Sequence, residues 1–482
     1  MITIEKLNET HLRVRCSDAG VAAEMSEYFK YRVEGYQFMP KYKARMWDGF
    51  FKLYNMHTKC IYVGLLPVVE KFAKDRDYPI EYKSEFLEKE FSVHEAEQFF
   101  ESLGTSFNKE DFQTNLQITT FAKAIRKKRS LIISPTGSGK SFIIYLLTRY
   151  YNKKTMIIVP NIALVHQMAQ DFVDYGFDKD RIHKVYADKD KNTDHDVVIG
   201  TWQSLSKMPQ ERLDQFKVVV GDEVHLFSAK ILTGLMEKLV SCEHRFGLTG
   251  SLDKSECNKL VLLGLFGNII QETTTAELIE KKVLAPLSIK CIILKYPEAV
   301  RKSVRGAEYE SEIEHIISKD SRNNFIKNLA LSLKGNTLIL FTRIEKHGDI
   351  LDRKIAPLVG DRKYFYIHGG VDGEDRDAIR PIVEQENSAI ILASYGTLST
   401  GINIKNISNI IFASPYKSQV KGIQSMRRGL RALGDKKLTL FDIADDISWK
   451  KTKNHTLRHF ADRVEIYDAQ QFPYELHLVG IS

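Results

Sequence analysis

The sequence is poor in cysteine and has no long apolar run. Its 482 residues include five cysteines, and no two of them are spaced as C-x-x-C. This composition indicates neither a disulfide framework nor a zinc site. The amino terminus has no basic region followed by an apolar stretch, and the longest apolar run, at 260–266, is far shorter than a bilayer span. We therefore expect a cytoplasmic protein with no signal peptide, no transmembrane segment and no membrane partner.

Low-complexity segments and short-period repeats are also missing, and charge of one sign is not in large excess. The net charge is +8, with 43% hydrophobic and 27% charged residues, as in ordinary globular proteins. A mild positive charge fits a polyanionic partner such as nucleic acid, and it fits a simple gain in solubility equally well. At roughly 150 residues per domain, the length predicts about three domains.

The chain does have α/β periodicity. From about residue 130, short β-branched runs alternate with helical patterns, and the apolar residues of 162–174 recur on one helical face. The rhythm restarts after Pro286 with five predicted strands, at 336–341, 363–367, 389–393, 409–413 and 437–441. The predicted fold class is therefore α/β, with two tandem parallel-sheet domains at 91–282 and 283–446.

Residues 1–90 differ in character and are predicted to form a small α+β domain. Aromatic and basic residues interleave there, as nucleic-acid binding requires. The candidate contacts are Lys41, Lys43, Arg45 and Trp47. Alternatively, the aromatic residues simply fill the core of the domain.

Residues 447–482 are predicted to form a basic helical tail. Apolar residues recur at helical spacing in this segment, and five cations crowd the same stretch. The cations are Lys450, Lys451, Lys453, Arg458 and Arg463. Such a helix packs on the second domain, and its cations either face solvent or contact DNA. A further charged segment, 296–321, is predicted to be a surface insertion.

The stretch 134–141, Ser-Pro-Thr-Gly-Ser-Gly-Lys-Ser, lies between a strand pattern and a helical pattern. Glycines let backbone N–H groups turn toward phosphate oxygens, Lys140 can reach the β and γ phosphates, and the Ser141 hydroxyl can hold Mg²⁺. Ser134 stands where the general motif has its first glycine. The pattern predicts a nucleoside triphosphate site whose other loop residues are Pro135, Thr136, Gly137, Ser138 and Gly139.

A second motif follows three valines at the end of a predicted strand. There, Asp222 is predicted to hold Mg²⁺, and Glu223 to orient and deprotonate the attacking water. His225 comes next, and the hydroxyls of Thr249 and Ser251 are candidates for coupling this acid pair to the γ-phosphate. Together with the phosphate loop, this motif predicts a hydrolytic NTPase.

Two further clusters can reach the nucleotide. Phe112 and Gln113 offer a ring and a two-faced amide to adenine. Gln424, Arg428 and Arg431 share one face of a predicted helix, where they can stabilise charge on the transferring phosphoryl group if the two α/β domains face one another. The alternative is a salt-bridged surface helix.

In their order, these motifs resemble motifs Q, I, II, III and VI of the superfamily 2 helicases, over about residues 105–450. The resemblance implies two RecA-like domains, ATP and Mg²⁺ as cofactors, and loops that grip the backbone of one nucleic-acid strand. The implied nucleic-acid contacts are Pro160, Asn161, Gln167, Thr201, Gln203, Phe341, Arg343, His368, Gly369, Thr397 and Thr400. Gly401 and Asn403 are the implied nucleotide contacts of motif V. Two residues depart from the usual pattern: Arg427 stands in place of a glycine, and Asn403 in place of an aspartate.

The whole chain is similar to the recombination and repair helicases of T-even bacteriophages. That similarity implies an ATP-driven motor for Holliday junction branch migration, fork regression, R-loop and D-loop unwinding and strand annealing, located in the host cell cytoplasm. The implied partners are branched, single-stranded and duplex DNA, RNA–DNA hybrids and single-strand-binding or recombination proteins, and the expected state is a monomer or weak oligomer. A duplex translocase that does not separate strands, an RNA helicase and an ATP-gated clamp are the alternatives.

Overall fold

The computed structural model of the chain describes residues 1–33, 35–135, 137–187, 193–227, 229–250, 256–283, 287–369, 379, 381–396, 406–415, 438–450, 452–469 and 472–481. The chain divides into two compact units, Met1–Thr273 and Thr274–Ser482. No helix within the described ranges has both the length and the apolar character that a membrane crossing requires.

A small α+β module begins the first unit. Its strands are β1 (Ile2–Lys6), β2 (His11–Cys16), β3 (Lys30–Arg32), β4 (Phe50–Lys52), β5 (Cys60–Tyr62) and β6 (Ile80–Tyr82), and its helices are α1 (Ala19–Tyr28), α2 (Pro40–Lys43) and α3 (Leu66–Lys74). Four strands form a sheet in the order β5-β2-β1-β6, and β3 pairs with β4 in a separate hairpin. Alternate residues of β1 and β2 are buried, which is the pattern of a sheet with one covered face.

The rest of the first unit is built on a parallel sheet of seven described strands. They are β7 (Arg129–Ile133), β8 (Thr155–Val159), β9 (Ile182–Val185), β10 (Val197–Thr201), β11 (Val218–Asp222), β12 (His244–Thr249) and β13 (Ile269–Gln271), in the order β13-β7-β12-β11-β8-β10-β9. Every neighbouring pair is parallel. The central strands are buried along their whole length, which explains their continuous apolar runs.

Eight described helices accompany this sheet. They are α4 (Val93–Ser102), α5 (Phe112–Lys127), α6 (Lys140–Tyr151), α7 (Ile162–Asp174), α8 (Trp202–Leu205), α9 (Gln210–Leu213), α10 (Ala229–Lys238) and α11 (Glu256–Phe266). Helix α7 buries Val165, Met168, Ala169 and Phe172, so the apolar face predicted from their spacing is confirmed.

The second unit repeats the architecture. Its described strands are β14 (Leu287–Lys295), β15 (Thr337–Phe341), β16 (Tyr364–Ile367), β17 (Ile390–Ser394), β18 (Asn409–Phe412), β19 (Leu438–Asp446) and β20 (Tyr474–Gly480), in the parallel order β16-β17-β15-β18-β19-β14-β20. Its described helices are α12 (Thr275–Glu280), α13 (Glu298–Ser303), α14 (Tyr309–Ser318), α15 (Asp320–Ser332), α16 (Asp349–Ile355) and α17 (His455–Ala469). Two parallel sheets in tandem, preceded by an α+β module, confirm the predicted fold class.

The C-terminal segment is more than a helix. It contains the predicted helix, α17, and also the edge strand β20, which sequence reasoning missed because most of its residues are exposed and leave no apolar run. Arg463 of α17 is 1% exposed, and its guanidinium group binds the buried Asp442 carboxylate of β19 through Nε at 2.9 Å and Nη2 at 2.8 Å. Arg463 is therefore a core residue, which removes it from the cations that can contact DNA.

The charged segment 296–321 is likewise integrated into the second unit, which corrects its prediction as a surface insertion. Glu312 of α14 is buried, and its carboxylate accepts the backbone N–H groups of His455 at 2.9 Å and Thr456 at 2.7 Å. These are donors of the first turn of α17, so a distant glutamate caps that helix.

Two arginines, of which Arg245 is fully buried and Arg129 half-buried, join the α+β module to the first parallel sheet. Arg245, at the start of β12, donates to three carbonyl groups of the 236–242 segment and to the Thr10 hydroxyl of the β1–β2 turn at 2.8 Å. Arg129, at the start of β7, donates to the carbonyl and carboxylate of Glu9 at 3.1 and 3.0 Å. One hydrophobic core runs from the module into the sheet. The module is therefore a fixed part of the first unit.

Candidate active site and nucleic-acid interface

The predicted nucleotide residues of the first unit lie at one edge of its sheet. The phosphate loop follows β7, Asp222 ends β11 and Thr249 ends β12, and these three strands are neighbours in the order β7-β12-β11. Because the strands are parallel, their carboxyl ends meet at the same edge. Ligands of open parallel sheets bind at this edge.

The phosphate loop connects β7 to α6. Gly137 and Gly139 have left-handed φ angles of 89° and 84°, which only glycine adopts without strain. The backbone at Ser134 is not left-handed, so this position does not need the glycine of the general motif. Its hydroxyl contacts that of Ser138, and its carbonyl accepts a hydrogen bond from Lys140 Nζ at 3.2 Å. Serine at 134 thus supports the loop directly.

Two glutamines of α5 hold the loop from the side. Gln113 Nε2 donates to the Gly137 carbonyl at 3.1 Å, and Gln117 Nε2 donates to the carbonyls of Ser138 at 2.8 Å and Gly139 at 3.4 Å. Sequence reasoning found Gln113 and missed Gln117, although its position one helical turn further on was an available signal. Phe112, the other predicted adenine contact, is half-buried beside Gln113.

Both acids of the predicted catalytic pair are buried, with Asp222 6% and Glu223 3% exposed. Glu223 has a left-handed φ of 52°, an uncommon conformation for a residue other than glycine, and it turns the chain sharply at the end of β11. Asp222 Oδ1 accepts the Glu223 N–H at 3.0 Å. Glu223 Oε1 lies 3.2 Å from Lys140 Nζ, so the acid pair and the phosphate loop are in direct contact.

The acid pair is also connected to the turn after β12. His225 Nδ1 lies 2.7 Å from the Thr249 hydroxyl oxygen and 3.4 Å from Glu223 Oε2. The Gly250 N–H donates to the same carboxylate at 3.4 Å. His225 therefore contacts both Thr249 and Glu223, so the two predicted coupling residues are connected to the acid pair.

The donor groups at this edge fit an ATP·Mg²⁺ complex. The loop leads into the amino terminus of α6, a helix of 12 residues, where N–H groups and the Lys140 ammonium favour phosphate. The Ser141 hydroxyl and the Asp222 carboxylate are oxygen ligands of the kind Mg²⁺ prefers, and Mg²⁺ is commonly held by one or two such ligands together with substrate phosphates. The described residues contain no cluster of three or more His, Cys, Asp or Glu that could hold a metal ion.

The predicted nucleic-acid contacts of the first unit follow β8 and β10 at the same edge. Asn161 caps α7 with its side chain, and Pro160 and Gln167 are half-buried around it. Gln203 is exposed, whereas Thr201 is 6% exposed and its hydroxyl bonds within the following turn. Gln203 is thus more accessible than Thr201, while the side chain of Asn161 is engaged in the helix cap.

In the second unit the structure corrects one predicted contact. Phe341, at the end of β15, is fully buried in the core because β15 is an interior strand covered on both faces. Its side chain therefore does not face nucleic acid. Arg343 is partly exposed and pairs with two acids of α14, Glu310 and Glu314, the second at 3.1 Å.

The turn after β15 rests on a buried polar cluster that sequence reasoning missed. This turn, Ile344–Gly348, is π-helical and contains the fully buried His347. His347 Nδ1 lies 2.8 Å from Ser414 Oγ, and Nε2 lies 3.2 Å from Asn323 Oδ1. Burial, with the nearby Arg322 cation, lowers the pKa of His347 well below its usual value, so the ring is neutral. Its partners lie on separate segments and leave no local pattern.

Two other predicted contacts of the second unit, His368 and Gly369, follow β16. His368 is half-buried with its ring centroid 4.9 Å from that of Tyr366, and Gly369 is exposed. The remaining predicted site residues lie outside the described residues. They are Thr136, Ser251, Thr397, Thr400, Gly401, Asn403, Gln424, Arg428 and Arg431.

The α+β module presents an exposed segment, residues 36–46, which we call the module tip. Its three cations Lys41, Lys43 and Arg45 are exposed, and none of them makes an ion pair with another described residue. Phe38 and Met46 beside them are 71% and 78% exposed. Cations and large apolar side chains thus share one surface.

The aromatic residues of the module divide between the two predicted roles. Phe29 and Tyr54 are buried in its core. Trp47, a predicted nucleic-acid contact, is half-buried, and its indole N–H donates to the Phe50 carbonyl at 2.7 Å, so it also stabilises the turn before β4. Phe51 is 46% exposed.

Comparison with known proteins agrees with this arrangement. Residues 2–83 match the family described as DNA helicase UvsW, N-terminal; 98–254 match Type III restriction enzyme, res subunit; and 321–433 match the helicase conserved C-terminal domain. The ATP-dependent DNA helicase uvsW of Enterobacteria phage T4 is 32% identical over 98% of this chain and 98% of its own length. This chain belongs to the UvsW family of superfamily 2 DNA helicases.

The chain is also similar to a solved structure and to a more distant relative. The crystal structure of T4 UvsW covers 99% of each chain with a TM-score of 0.52 and 30% identity. The DNA 3'-5' translocase XPB2 of Sulfurisphaera tokodaii is 25% identical over 74% of this chain and 87% of its own length. As a UvsW-family member, the protein is an ATP-dependent helicase that acts on nucleic acid, and the resemblance drawn from its motifs is confirmed.

Proposed function

We propose that this helicase uses ATP hydrolysis to remodel branched nucleic acids, by Holliday junction branch migration, fork regression, R-loop and D-loop unwinding and strand annealing. The observation that carries the proposal is the module tip, whose cations and exposed Phe38 and Met46 lie outside the parallel sheet. Cations that meet phosphates and side chains that meet bases are what a nucleic-acid surface requires. Arg245 and Arg129 fix the module to the parallel sheet of the first unit. The module tip is therefore a second surface, besides the loops of the sheet, that can bind the nucleic acid.

In the proposed hydrolysis, Lys140 binds the β and γ phosphates, and these contacts replace its ion pair with Glu223. Glu223 then orients and deprotonates the attacking water. Ser141 and Asp222 are the residues that would hold Mg²⁺, which would supply positive charge beside the phosphate oxygens. The segment 424–431 keeps its predicted role in stabilising the transferring phosphoryl group.

We further propose that loss of the ion pair between Lys140 and Glu223 couples the nucleotide site to movement along the strand. When Glu223 leaves Lys140, the groups in contact with its other oxygen, His225 and the Gly250 N–H, respond first. His225 and Thr249 then relay the change to the end of β12. Movements of this kind convert hydrolysis into steps along a strand.

A second candidate function is translocation on duplex DNA without strand separation. It is favoured by the similarity to a protein described as a DNA 3'-5' translocase. Both functions need the same nucleotide site, so only the substrate assay separates them.

The test measures ATP hydrolysis and unwinding on single-stranded, duplex, forked, four-way and RNA-containing substrates. We expect forked and four-way DNA to stimulate hydrolysis most and to be unwound. Displacement of a triplex strand from intact duplex, without unwinding of forks, would favour the translocase. Equal stimulation by single-stranded and branched DNA would contradict the proposed specificity. The control is Lys140→Ala, which should bind the same substrates and lose about 10²-fold or more in kcat for ATP.

A further inference from the structure

The Ser141 hydroxyl contacts a tyrosine that belongs to none of the predicted motifs. Ser141 Oγ lies 2.9 Å from the hydroxyl oxygen of Tyr175, the residue that follows α7. The two residues are 34 positions apart in the chain. The fold therefore places a second hydroxyl beside the predicted magnesium ligand.

Packing holds the Tyr175 ring in place independently of this hydrogen bond. The ring meets Phe107, Phe142 and Tyr145 edge-on, with centroids 5.7, 5.1 and 5.4 Å away. Phe142 and Tyr145 belong to α6, the helix that also carries Ser141. Edge-on aromatic contacts of this kind favour a defined orientation. The Tyr175 hydroxyl thus has a fixed position relative to the first turn of α6.

A hydroxyl group that coordinates a cation uses an oxygen lone pair, and its hydrogen points toward another acceptor. We infer that Tyr175 is a positioning residue that accepts the hydrogen of the Ser141 hydroxyl and so presents the Ser141 lone pairs to Mg²⁺. This inference rests on the proposed function of Ser141 as a magnesium ligand. In the opposite hydrogen-bond direction, Tyr175 donates to one of the two Ser141 lone pairs, so removing the Tyr175 hydroxyl would free that lone pair for the cation.

The two directions predict opposite effects of Tyr175→Phe, which keeps the ring and removes the hydroxyl. Binding of a fluorescent ADP analogue is titrated with Mg²⁺ and with EDTA, so the measurement does not depend on hydrolysis. We expect unchanged affinity in EDTA and a Mg²⁺-induced gain in affinity about fivefold smaller than in the wild type, the loss of one ordinary hydrogen bond.

The matched control is Tyr145→Phe. Tyr145 lies in the same aromatic cluster, but its hydroxyl accepts from Arg149 Nη1 at 2.9 Å, so this variant should behave as the wild type. An equal loss in Tyr145→Phe would assign the effect to cluster packing and overturn the inference.

Ser141→Ala separates failure of the inference from failure of the proposed function. If Ser141→Ala keeps the full Mg²⁺-induced gain, the proposed magnesium ligand is wrong and the inference falls with it. If Ser141→Ala loses the gain while Tyr175→Phe equals or exceeds the wild type, the inference alone is overturned.

Discussion

Replacement of Arg463 by methionine tests whether α17 is part of the core of the second unit. The guanidinium group of Arg463 makes two hydrogen bonds to the Asp442 carboxylate, which also accepts a hydrogen bond from the Tyr467 hydroxyl at 2.8 Å. Burial alone would lower the pKa of Arg463, but the Asp442 charge outweighs burial and raises that pKa above its ordinary value. Arg463 is therefore a cation at neutral pH.

The size of the expected effect follows from burial. Arg463 is 1% and Asp442 0% exposed, so methionine would fill most of the arginine volume and leave a buried carboxylate without its cation. Removing one partner of a buried pair costs about 3–5 kcal/mol, a large share of the roughly 5–15 kcal/mol that stabilises a domain. The double variant Asp442→Leu, Arg463→Met removes both charges and should recover most of that loss.

Hydrogen exchange of β19 and α17 in increasing urea measures the change, because a chain with two units does not unfold in one transition. Arg458→Met is the control, since Arg458 is exposed on the same helix and its guanidinium group donates to the backbone carbonyl of Lys453, not to a buried carboxylate. A loss below about 1 kcal/mol, combined with weaker DNA binding, would refute the reasoning and return Arg463 to the surface cations.

Three further predictions follow from other parts of the chain. Gln117→Met removes both hydrogen bonds from Gln117 to the phosphate loop. ATP affinity in a direct binding titration should therefore fall about tenfold. An unchanged affinity would show that Gln113 is sufficient to hold the loop. Replacing Lys41, Lys43 and Arg45 together by alanine should flatten the dependence of log Kd on log salt for branched DNA by about three units, and an unaltered slope would mean that these cations only face solvent. Burial lowers the pKa of His244 to about 4. Between pH 6.5 and 4, the His244 ring binds a proton in the unfolded chain but not in the folded one. The free energy of unfolding, measured in urea, should therefore be full above pH 6.5 and fall by roughly 2 kcal/mol by pH 5. His244→Gln should reduce this dependence of stability on pH.

The fold class and the nucleotide motifs were predictable because their signals are local. A buried parallel strand such as β8 or β11 is a continuous apolar run, and the phosphate loop joins a strand to a helix within eight consecutive residues. Strand β20 escaped prediction because it lies at a sheet edge and is mostly exposed. Edge strands bury few side chains and therefore carry little periodic pattern.

Local sequence also specifies the chemistry of the nucleotide site. Lys140, Ser141, Asp222 and Glu223 are the residue types that phosphate, Mg²⁺ and an attacking water require. The first two stand directly before an apolar helical run, and the acid pair stands at the end of an apolar strand. These residues predict a hydrolytic NTPase, and the resemblance to superfamily 2 helicases comes from the order of all the motifs along the chain.

The partners of these residues depend on the folded chain. Gln117 reaches the phosphate loop, Tyr175 reaches Ser141, and Arg245 reaches Thr10 across 235 positions of sequence. In the sequence, Arg463 is one of several cations of a predicted basic helix. Its pairing with Asp442 in the folded chain places it in the core. Such contacts join segments that only the sheet order and helix packing bring together. Gln117 had a signal in its spacing from Gln113, but a lone tyrosine or arginine leaves no pattern in the sequence that identifies its partner.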